Sequence, residues 1–110
     1  MNSKGLSLGQ ILSSSAGISA AARARLDGGV LEVAGDIDAE AVCVVAALAA
    51  GRVSEATSEA GLGPPRGWHV ELGARAFYVV HRLDELLVMT GAVSRNPSST
   101  LRSLVRICGA

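Results

Sequence analysis

From Ala41 to Ala50 every residue is apolar, and this run lies inside a longer segment, Ala39 to Gly61. Gly35-Asp36-Ile37-Asp38 introduces the segment and Gly61-Leu62-Gly63-Pro64-Pro65 closes it. Asp38 is a good N-cap, and the Gly/Pro cluster is a decisive stop, so the spacing predicts one long helix. Val42 to Val45 taken alone would also suit a buried strand, but the length of the segment and its alanines decide for helix. A helix apolar all round in its first half has to be covered on more than one side. Counting separates two faces. Val42, Val45, Ala49, Val53 and Ala56 recur at three and four residues and read as the stripe against the protein's own core. Val44, Ala47, Gly51, Ser54 and Ser58 recur the same way on the opposite side and are mostly small, which would let a second backbone come close. An Ala-rich composition would scatter small residues in the same way. Gly51 costs about 1 kcal/mol relative to Ala in a helix interior, a loss that close packing would offset.

Before this helix, Leu6, Leu8, Ile11 and Leu12 predict a short amphipathic helix ending near Ala16-Gly17. From Ile18 the period becomes two: Ala20, Ala22, Ala24 and Leu26 share one face, Ala21, Arg23 and Arg25 the other. Asp27-Gly28-Gly29 then separates this strand from Val30 to Ala34, a strong hairpin signal. After the double proline, Trp68, Val70 and Leu72 alternate with His69 and Glu71. Two further strands follow, Ala76 to Arg82 and Leu86 to Thr90, joined by short turns, with Asp84-Glu85 read as a solvated turn. Three strands so connected form an antiparallel meander. Asn96 and Pro97 open a last helix, with Leu101, Leu104, Val105 and Cys108 inward. Residues 1–5 read as a flexible N-terminus and 6–108 as a single domain.

Composition narrows the function classes. Hydrophobic residues make up 49% and charged residues 18% of the 110, which excludes a disordered chain. Ten basic and ten acidic side chains cancel, which argues against nucleic acid as a partner. The longest apolar run is half of what a bilayer span needs, and no charged-then-apolar leader opens the chain, so neither membrane insertion nor export is expected and the default location is cytoplasmic. One local imbalance exists: Arg95, Arg102 and Arg106 have no acidic neighbour after Glu85 and are partner-contact candidates, beside the simpler reading of a solvated helix face.

Catalytic and metal chemistry find little support. His69 and His81 lie across a turn from one another, and neither Cys43 nor Cys108 has a ligand-spaced neighbour, so no metal and no cofactor is expected. Both cysteines sit among apolar residues and read as buried reduced thiols. Asp36 and Asp38 flank a helix start, where capping explains them. The glycine-rich stretches lack the lysine and following helix of a phosphate loop. Trp68 is a core or interface anchor in a chain with only 3% aromatic residues.

The element order is helix, strand, strand, long helix, three strands, helix: an α+β architecture that resembles the roadblock family, the dynein light chain and GTPase-regulator fold. Asp27-Gly28-Gly29-Val30-Leu31-Glu32-Val33-Ala34-Gly35-Asp36 also looks like a D-G-x-x-x-E-x-x-G-D segment of small stand-alone bacterial roadblock-like proteins. The resemblance implies a five-stranded antiparallel sheet with the long helix on one face and the terminal helices on the other. Cys43 and Cys108 would then lie on opposite faces and could not bond. It also implies a homodimer in which the strand Trp68 to Leu72 pairs with its symmetry mate and the long helices lie side by side. Dimer-interface candidates are therefore Val44, Ala47, Gly51, Ser54, Ser58, Trp68 and Val70. Relatives commonly serve as dimeric platforms for small Ras-like GTPases or larger complexes. The expectation is a non-enzymatic homodimeric regulatory or scaffolding module, with a small GTPase or a larger protein complex as partner. The alternative is a small-molecule sensor domain with a pocket between sheet and helices.

Overall fold

The computed structural model describes residues 7–15 and 17–109. The stretch read as a flexible N-terminus, residues 1–5, lies outside the described residues, as do Leu6 and Ala16. The order of elements is α1 (Leu8–Ser14), β1 (Ile18–Arg25), β2 (Val30–Gly35), α2 (Ala39–Glu59), β3 (Gly67–Leu72), β4 (Arg75–His81), β5 (Glu85–Ala92) and α3 (Pro97–Ile107). The five strands form one antiparallel sheet in the order β2-β1-β5-β4-β3, so β2 and β3 are its edges.

Local chemistry accounts for the boundaries. Asp38 caps α2, its carboxylate accepting from the Ala41 amide at 3.4 Å. Asn96 caps α3 by accepting from the Ser99 amide at 3.2 Å, with Pro97 in the first turn where no amide is needed. The β1–β2 turn uses Gly28 at φ +96°, a left-handed conformation that side chains resist, while Asp27 accepts from the Gly29 amide.

The pleat sends alternate residues to two cores. On one face α1 and α3 cover Ala21, Tyr78, Val80, Leu87 and Met89, with Leu8, Ile11, Leu104 and Cys108 supplied by the helices. On the other, α2 covers Ala22, Ala24, Val79, Leu86 and Val88. Cys43 belongs to the second core and Cys108 to the first; both are free thiols. Ile18 joins the same face as Ala21 because the register shifts between Ile18 and Ala20.

Three readings of the sequence need correction. The face that α2 presses on the sheet is Ala39, Cys43, Ala46 and Ala50, with Val42 and Ala47 packed at its margins; of the stripe Val42, Val45, Ala49, Val53 and Ala56 only Val42 touches that core. Val45 is 62% exposed. The cause is β1: with alanines at 22 and 24 beneath it, the helix comes close only if its own inner residues are small. Leu26 lies past the end of β1 and is exposed. Glu85 is no solvated turn residue: it begins β5, is mostly buried, and accepts from Arg23 at 2.8 Å, with Arg82 at 3.7 Å. Arg23 also reaches Glu32 on β2, so its charge is met on both sides and its guanidinium is held above its ordinary pKa, chiefly by Glu85.

Candidate functional site

Narrow packing at the centre of the α2 face leaves space at its side. Between α2 and the β3 edge runs a groove of about 390 Å³. Ala41, Val42, Val45 and Ala49 form its helix wall. Trp68, Val70, Leu72 and Phe77 form its sheet wall, and Ala46, Val79 and Val88 its floor. The only polar side-chain group among these residues, the indole Nε1 of Trp68, donates to His81 Nε2 at 2.8 Å. The groove therefore offers no free hydrogen-bonding side chain, and what it fits is apolar.

Apolar surface is exposed nearby too. Leu48 is 70% exposed on α2, and Leu72, which lines the groove, is 58% exposed at the end of β3. β3 carries its outer row of backbone donors and acceptors unpaired, because no strand lies beyond it in the sheet. An exposed edge strand beside an apolar groove leaves both strand pairing and apolar burial open to an incoming group. By length and composition α2 would also suffice to cross a bilayer. It lies on the sheet through Ala39, Cys43, Ala46 and Ala50, and the rest of its apolar surface is left largely uncovered, with 17% of that stretch buried.

At the end of the groove nearest the α2 N-terminus a polar hollow of about 210 Å³ opens, lined by Asp36, Asp38 and Arg75 and sharing Val42 and Phe77 with the groove. Among the described residues these three side chains form no ion pair.

The interface candidates read from sequence divide between two places. Trp68 and Val70 line the groove. Val44, Ala47, Gly51, Ser54 and Ser58 belong to the other flank of α2, where Val44 approaches Gly28 of the β1–β2 turn. Val44, Gly51 and Ser58 are exposed there; Ala47 and Ser54 are half-buried. Sequence reasoning missed Val45 and Phe77 as residues of a groove, and Leu48 as exposed on the same helix. The one available signal was that Val45 and Leu48 are bulky where the helix needs small residues. Arg95, Arg102 and Arg106 are exposed at and along α3, on the opposite face of the sheet from the groove.

Burial argues against thiol chemistry: it raises the Cys43 pKa and pushes Cys108 up to about 11, far from the thiolate a nucleophile needs. Among the described residues no three His, Cys, Asp or Glu side chains gather as a metal site would require.

His81 has a different consequence. Burial lowers its pKa from the ordinary 6.5, and its Nε2 must be unprotonated to accept from Trp68. The folded pKa lies below the unfolded one, so the stability due to neutral His81 is complete above about pH 6.5 and declines as pH falls towards the folded pKa. Trp68 is the chain's single tryptophan. Its fluorescence is expected to titrate below pH 6.5 in the wild type and to lose that step in His81→Gln; a step unchanged in the variant would contradict the pairing.

No family model matches the chain, and no curated protein does. Solved structures do. The Roadblock/LC7 domain from Streptomyces avermitilis superposes with a TM-score of 0.80 at 15% identity, over 93% of this chain and 88% of that one. The gliding protein MglB from Thermus thermophilus gives 0.69 at 16% identity, over 93% and 85%. MglC from Myxococcus xanthus gives 0.60 at 16% identity, over 93% and 90%. At such identities the likeness is one of fold.

Proposed function

On a chain that carries the roadblock fold, we propose a non-enzymatic, cytoplasmic homodimer that works as a regulatory or scaffolding module. The single observation that supports it most is the groove: an apolar trough bounded by an unpaired edge strand, on the side where α2 leaves its bulky residues uncovered. A second copy would pair its β3 with this one and lay its α2 alongside, with Trp68 and Val70 buried between them. One described MglB structure has a tetrameric arrangement, which is in keeping with self-association on this fold.

The partner proposed for the dimer is a small Ras-like GTPase, as the roadblock resemblance implies. Arg95, Arg102 and Arg106 remain free to meet an acidic surface on the far side of the sheet. Retention of such a GTPase on the immobilised protein is expected to differ between its GDP and non-hydrolysable GTP forms. Equal retention with both, or none, would count against this partner.

A small-molecule sensor is the second reading, favoured by a groove volume within the range of ligand pockets. Its walls argue the other way, since ligand sites place a few polar groups to orient the ligand, and here no lining side chain offers a free one. Apolar side chains from another protein need no such groups.

A further inference from the structure

The exposed crest of α2 and the ends of the groove carry more information than the presence of a partner. Ala41, Val45, Leu48 and Arg52 recur at four, three and four residues, a stripe that faces out beside the groove. Val45 is central to the groove's helix wall, which extends from Ala41 to Ala49. Asp38 and Arg52 each stand seven residues from Val45, one towards each end of the helix, or about 10.5 Å along its axis.

We infer that, in the side-by-side α2 pair of the proposed homodimer, Val45 sits on the two-fold axis and Asp38 of each copy meets Arg52 of the other to set the register. The inference rests on the homodimer reading above. A helix seated antiparallel about Val45 brings Ala49 against Ala41 and carries Arg52 to the polar hollow lined by Asp36, Asp38 and Arg75, where the two carboxylates outnumber the one guanidinium. Among the described residues neither Arg52 nor either aspartate forms an ion pair within its own chain. The pairing of β3 with its symmetry mate already makes the two α2 helices antiparallel; the charges fix how far one slides along the other.

Cross-linking and charge removal test the register. Val45→Cys is expected to form a disulfide-linked dimer under mild oxidation, since a residue on the axis faces itself within bonding reach. Val44→Cys, half-exposed but on the other flank, is expected to stay unlinked. The native thiols are buried and give little background. Asp38→Asn keeps the N-cap and removes the charge. Asp38→Asn and Arg52→Gln are each expected to weaken the dimer about tenfold at low salt, and the double variant no further. Circular dichroism establishes that each variant is folded. A dimeric wild type in which Val45→Cys fails to link, or in which the two charge effects multiply, overturns the register and leaves the homodimer standing. A monomeric wild type overturns the homodimer itself.

Discussion

Val45→Arg is expected to turn the protein into a folded monomer. Val45 contributes little to its own core, being 62% exposed, so the domain tolerates the larger side chain there. In the dimer the same position lies in an apolar groove, and two guanidinium groups would face one another without acceptors. An uncompensated charge in such a place costs about 3 kcal/mol or more, a weakening of more than about a hundredfold. Sedimentation at micromolar concentration reads the change directly, while circular dichroism should remain that of the wild type. Gly51→Arg is the matching control: it lies on the other flank, where an added Cβ meets open space. If Gly51→Arg breaks the dimer and Val45→Arg does not, the interface runs along Val44, Ala47, Gly51, Ser54 and Ser58, and the groove is not its centre.

Gly91→Ala is expected to cost about 3 kcal/mol of folding stability, most of what a marginal domain possesses. Gly91 lies in the central strand β5, between Ile18 of β1 and Ala76 of β4. A Cβ there would overlap the Gly17 carbonyl, a backbone atom rather than a flexible side chain. Relief requires moving β1 or β5, and β5 is bonded to strands on both sides. Urea unfolding at fixed protein concentration measures the loss. A change below about 0.5 kcal/mol would mean that the close approach at the start of β1 does not hold in solution.

Gly91 also marks where sequence legibility ends. Turns and caps were readable because their chemistry is local: Asp27-Gly28 for the hairpin, Asp38 and Asn96 for the helix starts, Leu104 and Cys108 at helical spacing. These features gave the element order and, with the roadblock resemblance, the sheet and its helix layers. Non-local features left no such trace. The overlap at Gly91 depends on where β1 begins, and the partnership of Glu85 with Arg23 depends on β1 lying beside β5. The face of α2 differs from its periodicity for a related reason. Bulk at helical spacing reads as pointing inward, but the sheet beneath α2 is alanine at 22 and 24, and a close helix turns alanines to alanines. The valines then fall at the side, where Val45 helps to wall a groove that the sequence periodicity could not distinguish from a core. The alternation puts Trp68 and Val70 on one face of a strand, but that this strand is an edge comes from the roadblock resemblance and the order of the sheet, not from periodicity.

All of this depends on whether the groove is filled by a second chain. Solution mass by light scattering after size exclusion, over a range of concentrations, answers that most directly. The proposal requires the wild type to run at twice its chain mass of 11.2 kDa. A mass of 11.2 kDa that persists as the protein is concentrated would contradict it.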